Sequence, residues 1–203
     1  MSKKPIIVFE GIEGSGKSHH ISKVAKYLRK KKINYLKLRE PGGSYNSEKI
    51  RKLMLNNKNN FNENTDLLLI LASRSENIKL IKKYYKKKII LIDRFTDSSI
   101  AYQHYGLGVN LKIINLINNF LLKNIKVNFT FLNIVNKKNL NLRLKKRKSL
   151  NRYDKFKLNF YSKVQSGYYK ISKNNNNYII IDSNKKSINE VKKIIINQLE
   201  KII

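Results

Sequence analysis

The apolar positions of this chain fall into two patterns that alternate along its length. Five short runs have strand character: residues 5–10 (PIIVFE), 34–39 (NYLKLR), 88–93 (KIILID), 127–132 (VNFTFL) and 178–182 (YIIID). Apolar runs of this length without polar breaks suit strands covered on both faces. Between them lie stretches with helical spacing. Residues 17–32 carry Ile21, Val24, Ala25 and Leu28 on one face, and residues 64–85 carry Leu67, Leu68, Leu71, Ile78 and Ile81. Residues 111–122, 137–146, 155–171 and 188–202 complete the helical set, and the asparagine run at 174–177 reads as a loop. Strands alternating with helices predict an α/β fold: a five-stranded parallel sheet with helices on both faces. No repeat, Gly/Ser linker or composition break divides the chain, so one domain over residues 1–203 is expected.

Sheets of this kind bind ligands beyond the carboxyl ends of their strands. The first three predicted strands end at Glu10-Gly11, Arg39-Glu40-Pro41 and Asp93-Arg94. The chain after the first reads Gly11-Ile12-Glu13-Gly14-Ser15-Gly16-Lys17-Ser18, which fits G-x-x-x-x-G-K-[ST], the phosphate-binding P-loop. A chance match in a chain this long is about a one-in-a-hundred event, and the strand before and helix after meet the context the motif requires. Its amides curl around phosphate oxygens, Lys17 reaches the β- and γ-phosphates, and the Ser18 hydroxyl is a Mg²⁺ ligand. Asp93, closing an apolar strand, stands where a second Mg²⁺-holding oxygen is needed, and Arg94 is placed to bridge two phosphates. Arg39 is a candidate phosphate or base ligand. The basic run 142–148, with Arg152 beyond it, suggests a lid over about residues 142–153, with Arg143 and Arg147 on one helical face.

Composition changes the picture in one respect. Lys and Arg number 44 against 13 Asp and Glu, a formal net charge of +31. A nucleic-acid or membrane-surface binder is one reading. The lysines spread along the whole chain, however, and Lys, Ile and Asn, whose codons are rich in A and T, are all abundant. Compositional drift therefore accounts for the charge, and neither a nucleic-acid nor a membrane partner is expected. Cysteine is absent, which removes disulfides, thiolate metal sites and a Cys nucleophile. The start, Met1-Ser2-Lys3-Lys4, runs into an apolar stretch too short for a leader or a span, so a cytoplasmic location is expected.

Four segments together carry a family resemblance: residues 9–18 (FEGIEGSGKS), 39–44 (REPGGS), 67–74 (LLLILASR) and 93–103 (DRFTDSSIAYQ). Their order resembles the signatures of thymidylate kinases of the bacterial type, along nearly the whole chain from Lys3 to about Lys201. The resemblance implies transfer of the γ-phosphoryl group of ATP to dTMP, with Mg²⁺ as cofactor. It implies that Glu13 contacts the deoxyribose and that Arg74 and Arg94 grip the acceptor phosphate. Ser98, Ser99 and Tyr102 would line the base and sugar pocket, with Gln103 at its edge and Tyr102 placed against a 2′-hydroxyl. Arg143 and Arg147 would be the lid arginines, and the family implies a homodimer, for which the apolar residues of the helix at 67–81 are one candidate surface, core packing being the equal alternative for them.

Three positions depart from the family pattern. Ile70 stands where an aromatic side chain would stack on the base, Asn133 where an Asp ends the fourth strand, and Leu150-Asn151-Arg152 replaces Leu-Asp-Arg. Ile70 motivates a rival reading, a monophosphate kinase with relaxed base choice that accepts dUMP. The charge motivates a second, a P-loop NTPase that binds nucleic acid. A phosphate acceptor is already an oxyanion, so no general base is needed, and His19, His20 and His104 are read as incidental.

Overall fold

Strand β1 (Ile6–Glu10) is buried along its whole length because both faces of the sheet are covered. In the computed structural model, which describes residues 4–173 and 175–203, β1 pairs in parallel with β3 (Ile89–Asp93) and β4 (Phe129–Ile134). The outer strands are β2 (Tyr35–Arg39) and β5 (Tyr178–Asp182), giving the order β2-β3-β1-β4-β5, all parallel. Met1 to Lys3, where the leader was judged absent, and Asn174 lie outside the described residues; 175–177 form the expected turn.

Alternate residues of each strand feed opposite layers. Ile7, Phe9, Leu91, Phe131 and Ile181 pack on Ile21, Val24 and Leu28 of α1 (Lys17–Lys30) and on Val191, Ile195 and Leu199 of α8 (Ile188–Glu200). Ile6, Val8, Leu38, Ile90 and Ile92 face Ile78 and Ile81 of α3 (Glu63–Tyr84). Each such side chain contributes about 1.5–3 kcal/mol on burial. The remaining helices are α2 (Tyr45–Leu55), α4 (Thr96–Ser99), α5 (Leu111–Leu122), α6 (Lys137–Lys145) and α7 (Leu158–Lys173). A π-helical segment, Ile100–Gly106, continues α4, and a 3₁₀ turn, Arg152–Lys155, precedes α7.

The differences from the expected elements have local causes. Helix α2 was not predicted: only Ser47 and Met54 of it are buried, and its signal is the Ser44 cap on the Ser47 amide. β4 starts two residues later than expected, because the Asn128 side chain takes the Ile6 N–H at 2.9 Å and the ladder begins beyond it. α7 starts late because Asn151 and Asp154 form a capping box on the 3₁₀ turn. α6 stops at Lys145, so Arg143 and Arg147 do not share a helical face as expected. Of the two readings of the apolar residues of α3, core or interface, Leu67, Leu71, Ile78 and Ile81 take the core one, and Leu68 alone of that set is exposed.

Candidate active site

The ends of β1, β2 and β3 surround a cavity of about 400 Å³, lined on one side by Glu13, Gly14, Gly16, Lys17 and Ser18. Gly11 turns the chain out of β1 at φ 134, and a Cβ there would lie 2.1 Å from the Asn133 carbonyl oxygen, so only glycine fits. Gly16 caps α1 at φ 98 with no side-chain acceptor, and no acidic residue sits in the first turn. The helix therefore offers its positive end to an anion. Lys17 is buried, and its ammonium donates to the Gly11 and Ile12 carbonyls at 2.8 Å each. Burial, and then the neighbouring Arg94 charge, push its pKa down to about 8. The Ser15 hydroxyl is buried and has no partner among the described residues. Ile12 faces away from the cavity into the apolar layer under α7.

Ser18 Oγ donates to Asp93 Oδ2 at 2.9 Å, so the two expected metal oxygens converge at the cavity edge. Arg94 follows in the left-handed region at φ 67. Its guanidinium donates to the Gly11 carbonyl and to Glu13 Oε1, both at 2.7 Å, and lies 4.9 Å from the Tyr102 ring centre. Burial opposes its charge, but the Tyr102 and Glu13 oxygens hold it protonated. The Tyr102 hydroxyl donates to the other Glu13 oxygen. Glu13, Arg94 and Tyr102 thus form one bonded group beside the P-loop.

Glu10 holds this group in place, and its role was not foreseen. It is fully buried, and it accepts from the Phe95 amide at 2.7 Å, the Ser98 hydroxyl at 2.6 Å and the Tyr168 hydroxyl at 2.9 Å. Four donors on one carboxylate, counting the Ser98 amide at 3.3 Å, clamp the turn after Arg94 to β1. Ser98 lines the cavity, but its hydroxyl is committed to Glu10. Ser99 Oγ and both amide atoms of Gln103 also line the cavity, are buried, and have no hydrogen-bond partner among the described residues. Buried polar atoms of this kind are normally paired, so these three point to a polar ligand. They are carried on α4 and the π-helical segment, a local form that recurs at functional sites.

The arginines are placed less simply than the sequence suggested. Arg74 is 0% exposed, and it donates to Glu40 at 2.8 Å, Asn118 at 2.6 Å and the Phe95 carbonyl at 2.9 Å. It lines the cavity as a braced cation, its guanidinium already held by three acceptors. Arg39 reaches the cavity mouth, but both ends of its guanidinium are held by Glu48 of α2, at 3.0 and 2.7 Å. Arg39 thus stands at the mouth as an exposed, Glu48-paired cation. Arg51, from the same unforeseen helix, lines the cavity and donates to the Pro41 carbonyl at 2.7 Å. Arg147 lines the cavity and pairs with Asp154. Arg143 lies outside that lining and donates to the Gly14 carbonyl at 2.7 Å and the Ser183 hydroxyl at 3.2 Å. Ile70 and Tyr153 line the cavity near Tyr102. His20 is buried against Gly16, and burial, with the His19 and Arg143 charges, pushes it down to about 4, so it is neutral near pH 7.

Comparison with known proteins places this geometry. A segment of Kosmotoga olearia thymidylate kinase is 42% identical over 116 residues, 56% of each chain. A segment of the Thermosipho africanus thymidylate kinase is 41% identical over 127 residues, 62% of this chain and 63% of that protein. The matched stretch thus spans less than two thirds of these relatives. The crystal structure of a thymidylate kinase from Ehrlichia chaffeensis superposes with a TM-score of 0.76 at 30% identity, covering 98% of this chain and all of that one. That fold is the P-loop NTPase sheet described above. A family model described as thymidylate kinase matches residues 9–195, from within β1 to within α8, and on this ground the chain belongs to the thymidylate kinase family.

Proposed function

We propose that this chain transfers the γ-phosphoryl group of ATP to dTMP, giving dTDP. The observation that carries the reading is the shared cavity: a P-loop and a second set of cationic and unpartnered polar groups line one space. ATP phosphates fit the P-loop amides and Lys17. Ser18 and Asp93 would hold Mg²⁺; a hydroxyl and a carboxylate that already meet suit an ion that takes one or two protein oxygens and keeps its waters. Bound there, the ion would supply neutralisation of phosphate charge during transfer.

Arg94 is positioned between the P-loop carbonyl of Gly11 and Glu13, where donor and acceptor phosphates must meet. Its guanidinium holds the acceptor phosphate and offsets the charge that develops on transfer. Glu13 keeps Arg94 aimed and faces the sugar. Tyr102, fixed by Glu13, fills the space a 2′-hydroxyl needs. Ser99 and Gln103 offer a hydroxyl and an amide edge to the base. Arg147, reaching in from residues 142–153, adds a cation and helps exclude water, while Arg143 braces the P-loop at Gly14. Placement and charge do this work without a general base.

Turnover with a panel of nucleoside monphosphates and ATP–Mg²⁺ tests the reading. dTMP is expected to have the highest kcat/KM; turnover with none of them, or with dUMP above dTMP, would overturn it. Ile70 offers the base an aliphatic face where an aromatic one stacks more strongly, by about 1–3 kcal/mol per base. Ile70→Phe is therefore expected to lower KM for dTMP with little change in kcat, since stacking holds ground and transition states alike. An unchanged or higher KM would show that the pocket has closed around Ile70 and is overfilled by the ring.

The chain also presents an apolar face suited to a second copy of itself. On α5, Leu116 and Phe120 are each 70% exposed, with exposed Ile113 one turn earlier and Leu68 on the neighbouring α3. Ile113, Leu116 and Phe120 share one face of α5 by helical spacing, and exposed apolar side chains grouped in this way suit an interface. Light scattering is expected to give a homodimer that Phe120→Glu converts to monomer; a monomeric wild type at micromolar concentration would count against it.

A further inference from the structure

The strongest unused feature of the molecule is Asp66, a buried carboxylate on α3, one helical turn before Ile70. Each of its oxygens is engaged by a different residue of the 3₁₀ turn at the end of the lid segment. Arg152 Nη2 donates to Oδ1, and the Tyr153 hydroxyl donates to Oδ2 at 2.9 Å. The Tyr153 backbone is held as well: its carbonyl accepts from the Tyr161 hydroxyl at 2.6 Å, and its amide donates to the Asn151 side chain at 2.9 Å. Arg152 lies over the Phe61 and Tyr153 rings, 5.3 and 5.1 Å from their centres. The next residue, Asp154, pairs with Arg147. Three consecutive residues thus link α3 to the lid arginine, and the middle one lines the cavity in the same cluster as Ile70 and Tyr102.

We propose that Asp66 is a positioning residue for phosphoryl transfer: through Arg152 and Tyr153 it fixes the turn that puts the Tyr153 ring in the acceptor end of the cavity and, through Asp154, sets Arg147. The proposal rests on the function given above for that cavity. Burial and the Asp66 carboxylate keep the Tyr153 phenol protonated, so the hydroxyl remains a donor across the working pH range. Acceptor binding and placement of the lid cation then share one anchor. The hydrogen bonds given above for its carboxylate go to Arg152 and Tyr153, not to the P-loop.

A role confined to stability would lower the melting temperature and leave the kinetics of the folded enzyme unchanged. A positioning role changes the kinetics selectively. Asp66→Asn is expected to raise KM for dTMP about tenfold and lower kcat, with KM for ATP within about twofold of wild type. Tyr153→Phe keeps the ring and removes one hydrogen bond, so a threefold to tenfold rise in KM for dTMP is expected, roughly the net worth of that bond. In an Asp66→Ala background, which removes both acceptor oxygens, adding Tyr153→Phe should have little further effect, because the double variant loses no contact that Asp66→Ala has not already removed. Amide hydrogen exchange gives a readout independent of turnover: residues 147–154 should exchange faster in Asp66→Asn, while the sheet is unchanged. Wild-type KM and kcat in folded Tyr153→Phe, additive effects in the double variant, or unchanged exchange at 147–154 would each overturn the anchor. Absent turnover of dTMP by the wild type would instead overturn the function, and exchange would still decide the anchor.

Discussion

Lys17→Ala is expected to lower kcat for phosphoryl transfer by at least about 10²-fold while the protein stays folded, the usual effect of losing one group that stabilises transition-state charge. The fold should survive because Lys17 is not a favourable part of the core. It is a buried ammonium whose pKa is pushed down to about 8, and burial is the main cause. The folded state therefore binds this proton less tightly than the unfolded chain. The resulting penalty is fully present below pH 8 and disappears as the pH rises toward 10.5, the ordinary value. Alanine removes that penalty along with two hydrogen bonds to carbonyls, so thermal unfolding should shift little. Phosphate oxygens favour the charged form and raise the pKa. ATP binding near pH 8 should thus take up a fraction of a proton, measurable by calorimetry in buffers of different ionisation enthalpy. Uptake should vanish in Lys17→Ala. Near-wild-type turnover in the variant would remove the P-loop from the reaction.

Arg94→Ala is the second large effect, expected to lower kcat by about 10²–10³-fold. Here the side chain and the backbone make separable contributions. The guanidinium joins Glu13, the Gly11 carbonyl and the Tyr102 ring, and its loss leaves Glu13 without its cation. The backbone at φ 67 is strained for any residue with a Cβ, by about 1–2 kcal/mol, and Glu10 holds the turn against that strain. Arg94→Gly should therefore be as inactive as Arg94→Ala but more stable than it by about 1 kcal/mol, read from denaturant midpoints. Equal stability of the two variants would mean the turn is not strained. Activity retained in either would mean that Arg94 does not contact the reacting phosphates.

The sequence carried the sheet and the P-loop because both are local. An unbroken apolar run such as 88–93 has few ways to bury both faces, and Gly11 to Ser18 binds phosphate largely through its own backbone. Helix α2 was not legible for the opposite reason. Residues 45–55 bury only Ser47 and Met54, so no periodic stripe marks them. With α2 missing, Glu48 and Arg51 were missing too, and the Glu48 carboxylate that pairs with Arg39 was not seen. Glu10 was hidden because a carboxylate at a strand end gives no sign of which amides will converge on it.

By itself, then, the sequence determined the five strands, the helices with an apolar stripe, the phosphate loop and the types of charged residue gathered at the strand ends. Only the tertiary structure decided which partners each charge has. Arg74 and Arg94 look alike in one dimension, yet one is braced in the floor by Glu40, Asn118 and the Phe95 carbonyl, and the other is aimed beside the P-loop by Glu13. The physical reason is that a guanidinium's role depends on which acceptors lie within about 3 Å of it. Those acceptors come from segments far apart in the chain, brought together when both faces of the sheet are buried.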